Sequence, residues 1–230
     1  MRGFKCVVGG RGLEPLNLSH VKGAARHFTW RAEQVVQALG RVPHVSASLG
    51  LERAGIAYSA GGIVADDWCR TNIGHIYAVG DVNGKSMLLH AAERQNRLVT
   101  DLILRGYTPE PFRATEMPMT VFTRPALMSV GLSTEAAQAQ GIKVSEERRQ
   151  MRWEDRALIM GEPEGLVKFV VAKGTGRVIG VHAVGIDAVS LSTVGHLIVR
   201  YGLTLQDVSL MTFPHPTQFE ILNTLAWNSV

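Results

Sequence analysis

The stretch FPHPTQFE, residues 213–220, holds the residue types that proton transfer needs. Pro216 suits the first turn of a helix, where a missing N–H goes unneeded. That reading puts His215 just ahead of the helix and Glu220 about one turn in, its carboxylate able to reach back to the imidazole. A carboxylate so placed orients the ring and stabilises its protonated form, which is how a general base is built. A loop histidine beside an ordinary surface glutamate fits the same residues. A second candidate is HIYAVGD, residues 75–81. Ligands of open α/β sheets bind at the carboxyl ends of strands. Gly80 would let a ligand approach the backbone, and Asp81 would accept hydrogen bonds from ligand hydroxyls. A helix starting near Ser86 would turn its free N–H groups and positive dipole end toward whatever Asp81 holds. A plain turn beside a helix fits these residues too. GGRGLEP, residues 9–15, is no phosphate loop, because Pro15 stands where G-x-G-x-x-G needs its third glycine. The 8 histidines include no HExxH and no pair beside a carboxylate at helix spacing, so no metal site is expected. Cys6 and Cys69, the 2 cysteines, form no CxxC or CxxxxC pair and read as free thiols.

The elements that must position these residues fall into two textures. Up to about residue 112 the pattern is α/β. FKCVVGG, RHFTW and AEQVVQAL read as strands, broken at Gly40, with Pro43 barring an αR conformation at Val42. HIYAV is β-rich and too short for a helix. After it Leu88, Ala91, Ala92, Leu98, Leu102 and Ile103 recur at helical spacing, and Gly106 makes a fitting stop. Strand, tight loop and helix form one crossover unit of an open sheet. TPEPFR is a proline-marked linker. Beyond it TVFTR, LMSVGL, GLVKFVVAK and RVIGVHAVG read as strands, with KGTGR the clearest hairpin turn. A short helix is opened by Ser133 and closed by Gly141, and two more are expected over 188–201 and 205–210. This is an α+β domain with an antiparallel sheet.

Composition narrows the function classes. With 230 residues, 46% hydrophobic and 19% charged, the chain can bury a core, and disorder is a poor reading. The net charge of +4 is dispersed, and its densest stretch, 146–156, mixes both signs. A solvated face rather than a nucleic-acid site is expected there. The N-terminus is no secretory signal, and His182, Asp187, His196 and Arg200 interrupt the most apolar runs, so no membrane span is expected.

Five motifs in order resemble the pyridine nucleotide–disulfide oxidoreductases. VVQALGRVPH is similar to the end of that family's NAD(P) domain, RTNIGHIYAVGDVNG to its last FAD-contacting strand, and SMLLHAAERQ to the flavin-facing helix start. TVFTRPALMSVGLSTEAAQAQG resembles the opening of the dimerisation domain, and FPHPTQFE the C-terminal His-Pro-Thr-x-x-Glu. The likeness runs from about Ala32 to Phe219 and beyond. It implies that 1–45 is the end of an NAD(P)-binding domain, 46–112 the last segment of an FAD-binding domain, and 113–230 the dimerisation domain. It further implies FAD and NAD or NADP as cofactors. Asp81 would hold the ribityl chain, with Gly80 at the same turn. Met87, Leu88, Leu89 and His90 would lie against the flavin ring, and Gly40 near the nicotinamide. His215 would be the acid–base for substrate thiols, held by Glu220, serving the partner subunit's flavin in a homodimer. The substrate would be a small dithiol or disulfide, or a lipoyl group, and the setting cytoplasmic.

The departures are specific. The family's FAD loop, NAD(P) loop and C-x-x-x-x-C pair do not occur in these 230 residues. The expectation is a chain that starts midway through the NAD(P) domain and cannot move electrons from thiol to flavin alone. His215 favours a thiol-using member, and the lack of a C-terminal cysteine pair argues against the mercuric reductase branch. The dihydrolipoyl-oxidising branch remains, ahead of a glutathione reductase-like one. A dimerisation module without catalysis, or a gene remnant, is the reading from another class.

Overall fold

The computed structural model describes residues Val7–Val8, Val36–Gln37, 40–107 and 110–230. RHFTW, GGRGLEP, Cys6 and most of AEQVVQAL therefore lie outside the described residues, as do Thr108 and Pro109 of the linker. The chain divides into two compact units, 1–42 and 43–230. In the first, strand β1 (Val7–Val8) pairs antiparallel with β2 (Val36–Gln37).

The second unit opens with a small antiparallel hairpin, β3 (Tyr58–Ser59) and β4 (Gly62–Ile63). HIYAV is not a strand: Tyr77 makes one isolated antiparallel bridge to Arg70. A strand persists only while a neighbour supplies its ladder, and among the described residues only the 69–71 segment does so, through Ala78 N–H to Cys69 O and Thr71 N–H to Ile76 O. The chain then makes a 3-10 turn, Gly80–Asn83. Helix α1 (Leu89–Arg105) starts three residues later than the apolar pattern predicts, because Leu88 is still extended, and it ends at Gly106 as expected. Gly106 has φ 67 and its N–H bonds Leu102 O, the left-handed stop that glycine adopts without strain. Ala91, Gln95, Leu98 and Val99 form the buried face, and Ile103 points to solvent.

Residues 119–185 build a five-stranded antiparallel sheet in the order β5 (Met119–Val121), β6 (Ala126–Gly131), β9 (Val178–Gly185), β8 (Leu166–Ala172), β7 (Val144–Gln150). The mixed-sign stretch 146–156 begins in strand β7, which the sequence pattern did not single out as a strand. This strand is charged and belongs to the edge, where water and cross-strand partners hold the charges and discourage pairing with other chains. Lys168 on β8 reaches Glu146 at 3.0 Å, and Arg148 and Thr134 bond the same carboxylate. Helix α2 (Thr134–Ala139) is opened by Ser133, whose hydroxyl accepts the Ala136 N–H. Helix α3 (Asp155–Ile159) follows β7. After the sheet come α4 (Ala188–Arg200), α5 (Leu205–Ser209) and α6 (Glu220–Trp227). Met128, Val130, Phe169 and Val181 on the sheet pack with Leu191 and Ile198 of α4 and Ile221 and Leu222 of α6 into one core. Among the described residues no helix is long and apolar enough to cross a membrane.

The opposite sheet face carries titratable groups. His182 donates from Nε2 to Leu132 O at 3.2 Å, so Nδ1 accepts the Ser129 hydroxyl at 2.8 Å. Burial pulls the His182 pKa below its ordinary 6.5. Hydrogen bonds from Thr134 and Lys168 pull Glu146 down to about 2 from 4.5, against the effect of burial. Both groups bind fewer protons folded than unfolded, so stability is full above the unfolded values and is lost on acidification. His182 accounts for loss as pH falls through and below 6.5, and Glu146 for loss between 4.5 and about 2. We expect the urea midpoint to fall from pH 7 to pH 5 and His182→Gln to flatten that limb. An unchanged slope in His182→Gln would remove His182 from the account.

Candidate functional site

The loop 211–219 is clamped at both ends. Phe213 and Phe219 pack against the core and stack on each other with ring centroids 6.0 Å apart. Asn223 of α6 donates to Met211 O at 3.0 Å. Between them Pro214, His215 and Pro216 are exposed, while Gln218 is buried. The His215–Pro216 bond is cis, and α6 begins at Glu220, so Pro216 lies ahead of the helix rather than in its first turn. Being the first residue of α6, Glu220 still points back along the loop. Its Oε1 lies 3.1 Å from His215 Nδ1, and its Oε2 accepts the Thr217 N–H at 2.8 Å. One carboxylate thus holds both the ring and the backbone that carries it. With Nδ1–H donating to Glu220, Nε2 is left for a second partner. Asp155 Oδ2 stands 3.8 Å from Nε2.

Behind this corner Glu154 is only 6% exposed and forms an ion pair with Arg149. Burial pushes the Glu154 carboxyl up, Arg149 draws it back, and the negative charges of Glu220 and Asp155 add to the rise. Gln218 is 2% exposed, and neither end of its amide has a hydrogen-bond partner among the described residues.

The second group of predicted residues sits at the start of α1. Gly80 has φ 78, which a side chain would strain, and its N–H bonds Gln95 Oε1 at 2.7 Å. The same oxygen accepts Asn83 Nδ2 at 2.9 Å, so a buried glutamine inside α1 sets the shape of the Gly80–Asn83 turn. Asp81, Leu89 and His90 are exposed, Met87 and Leu88 half-buried. No side chain caps the N-terminus of α1, which leaves its first N–H groups to water or a ligand. His90 Nε2 meets Pro118 O at 2.8 Å. Beside it opens a cavity of about 620 Å³, lined also by Arg94, Arg113, His196 and Arg200 but by neither His215 nor Glu220. The structure therefore pairs His215 with Glu220 and gathers Gly80 with the residues around Leu89, as two separate clusters. Gly40, exposed with φ 138, belongs to the other unit. Among the described residues no group of three His, Cys, Asp or Glu side chains is placed to hold a metal ion.

Two family models cover the chain. Residues 15–96 match the pyridine nucleotide-disulphide oxidoreductase model, and residues 117–226 match that family's dimerisation domain. The chain belongs to the pyridine nucleotide-disulphide oxidoreductase family. The members of this family are FAD-dependent enzymes that use NAD(P). Among curated relatives, the dihydrolipoyl dehydrogenase of Chlorobaculum parvum is 38% identical over 186 residues, 81% of this chain and 39% of the relative. That of Mycobacterium bovis is 35% identical over 193 residues, 84% of this chain and 41% of the relative. The chain thus spans about two fifths of the length of these relatives. Among solved structures, LpdA of Mycobacterium tuberculosis superposes with a TM-score of 0.76 at 27% identity, over 86% of this chain and 44% of the other. The HOCl-induced flavoprotein disulfide reductase RclA of Escherichia coli gives 0.71 at 26%, over 88% and 46%. These flavoprotein folds bear out the mixed α/β and α+β class and the antiparallel sheet expected for a member of this family.

Sequence spacing gave no sign of Asp155, Glu154 or Gln95. Asp155 and Glu154 come near His215 and Glu220 only through the tertiary fold, which sets the start of α3 beside the loop ahead of α6. Gln95 stands in the apolar stripe of α1, where one polar residue reads as noise. A buried amide without partners is destabilising, and replacing it by an apolar group of similar shape relieves this. Gln218→Leu is expected to raise the unfolding free energy by about 1–2 kcal/mol, measured by urea denaturation. A loss of stability would show that water or another group satisfies the amide.

Proposed function

We propose that this chain carries the thiol acid–base element and the flavin-ring end of a dihydrolipoyl dehydrogenase-type enzyme. The observation that supports this most is the His215–Glu220 pair, with His215 exposed and its Nδ1 held by the Glu220 carboxylate. A substrate thiol would give its S–H proton to Nε2 and leave a thiolate, the form that attacks disulfides. Glu220 would hold the ring while it carries the positive charge, and the Thr217 N–H would hold Glu220. Residues Gly80, Asp81, Met87, Leu88, Leu89 and His90 fit the ribityl and ring end of FAD. The support is an α1 N-terminus without a side-chain cap, beside an exposed carboxylate and an apolar Leu89 that is 78% exposed. When bound, the flavin supplies two-electron transfer between the thiol side and NAD(P). Gly40 would stand by the nicotinamide.

In this reading the protein is a cytoplasmic homodimer acting on a small dithiol or a lipoyl group, divided at 45 and 112. His215 would serve the partner's flavin. Both relatives described above carry the dihydrolipoyl dehydrogenase name, which favours this branch over glutathione or mercuric reductases. A dimerisation module without catalysis is the second reading, favoured by the match of residues 117–226 to the dimerisation-domain model.

These readings part on flavin absorbance and sedimentation. A yellow purified chain with flavin absorbance supports the first, and a colourless dimer in sedimentation supports the second. The 230-residue chain alone is expected to show no NAD-linked dihydrolipoamide oxidation, because Cys6 and Cys69 cannot act as the C-x-x-x-x-C pair. Turnover with added FAD would overturn that. In an enzyme completed with a cysteine-bearing half, His215→Ala should slow flavin reduction by the dithiol about 10²–10⁴-fold. Glu220→Gln should slow it less. A wild-type stopped-flow rate for His215→Ala would leave the histidine a structural role only.

A further inference from the structure

Negative charge is gathered around His215. Glu220 holds Nδ1 at 3.1 Å, and Asp155 stands 3.8 Å from Nε2 on the other side of the ring. Behind them Glu154 is buried, and the fields of both carboxylates reach it. The neighbouring cations are engaged elsewhere. Arg149 is paired with Glu154, Arg156 lies 3.4 Å from Asp187, and Arg152 lies 3.5 Å from Glu164. No positive charge among these is left to offset Asp155 in front of Nε2.

We propose that Asp155 is a specificity-determining residue of the His215 site. Its carboxylate turns away substrates that carry negative charge close to their sulfurs and admits neutral or cationic dithiols and disulfides. This rests on His215 acting as the thiol base.

The geometry suits a filter rather than a block. The side chains of His215 and Asp155 are 63% and 67% exposed, and at 3.8 Å the contact is too wet and too long to hold the ring shut. What Asp155 sets is the potential across the approach to Nε2. A carboxylate on an incoming molecule must come within several ångströms of Asp155, whereas the corresponding amide brings no charge. At such range between exposed charges the penalty on the anion is roughly threefold to tenfold at low salt, and it is screened as salt rises. The sequence chemistry agrees. Asp155 is the first residue of α3, where a carboxylate is also favoured by the helix dipole, so replacing it perturbs the site without opening the core.

Alkylation of His215 by iodoacetamide and by iodoacetate tests the filter on the chain as it is, without cofactor or turnover. The reagents differ in one charge. The ratio of their rates at one histidine, read by peptide mass spectrometry, cancels changes in the ring's own reactivity. His75 is exposed and serves as reference in the same molecule. The neutral-to-anionic ratio at His215 should exceed that at His75 by roughly threefold to tenfold at low salt. Asp155→Asn should bring it down to the His75 value, Asp155→Lys should push it lower still, and about 0.5 M salt should shrink the wild-type excess. A ratio at His215 that is the same in wild type, Asp155→Asn and Asp155→Lys would overturn the proposal. If the ratios behave as expected but His215→Ala leaves dithiol reduction of the flavin at full rate, the thiol-base reading fails while the charge filter stands.

Discussion

The burial of one sheet face under α4 and α6 is the interaction on which the rest of residues 113–230 depends. Met128, Val130, Phe169 and Val181 present an apolar surface that water cannot be left to cover, and Leu191, Ile198, Ile221 and Leu222 close it. Each such side chain contributes about 1.5–3 kcal/mol on burial. The His215–Glu220 bond is exposed and worth far less than any one of them. Packing therefore imposes the position of α6, and α6 carries Glu220 at its first residue. The loop ahead of it is held by Phe213 and Phe219 at its ends, so the site geometry is a by-product of where the core places a helix terminus.

The same sheet shows how a charged sequence becomes a strand. VSEERRQ has poor β character by composition, yet it pairs along its full length with β8, from Val144↔Ala172 to Gln150↔Leu166. Its charges are met locally: Glu146 by Lys168, Arg148 and Thr134, and Arg149 by Glu154. The strand then delivers the chain into α3, which is how Glu154 and Asp155 come to lie beside a histidine far along the sequence. Edge strand, buried ion pair and site carboxylate are one continuous arrangement.

The α1 cluster follows a different logic. Its turn is shaped by a side-chain oxygen, Gln95 Oε1, that accepts from Gly80 N–H and Asn83 together. A glycine with positive φ is held in place by a residue in the second turn of the following helix. The result is a fixed Gly80–Asn83 turn ahead of an uncapped helix terminus, without a ladder-forming strand under it among the described residues. This departs from the crossover unit that the sequence pattern suggests, since a β-rich run such as HIYAV becomes a strand only when another strand lies beside it.

Much was legible in the residues themselves. Ser133 and Gly141 bracket α2 because a hydroxyl cap and a left-handed glycine act locally. Gly106 stops α1 for the same reason, and four of the five sheet strands announce themselves by β-branched runs. The family likeness is also local, being carried by short ordered motifs, and so is the proximity of His215 and Glu220, five positions apart across the junction of loop and α6. What needed the tertiary structure is whatever depends on a partner distant in sequence. That includes β7, stabilised by cross-strand charges, and the start of α6 at Glu220, which packing sets after Pro216. It includes Gln95, whose role exists only through the Gly80 turn. It also includes Asp155, which meets His215 only because the fold brings the start of α3 beside the loop that precedes α6. Short-range sterics and hydrogen bonds are written in neighbouring residues, whereas long-range Coulomb and packing terms arise only once the chain has closed on itself.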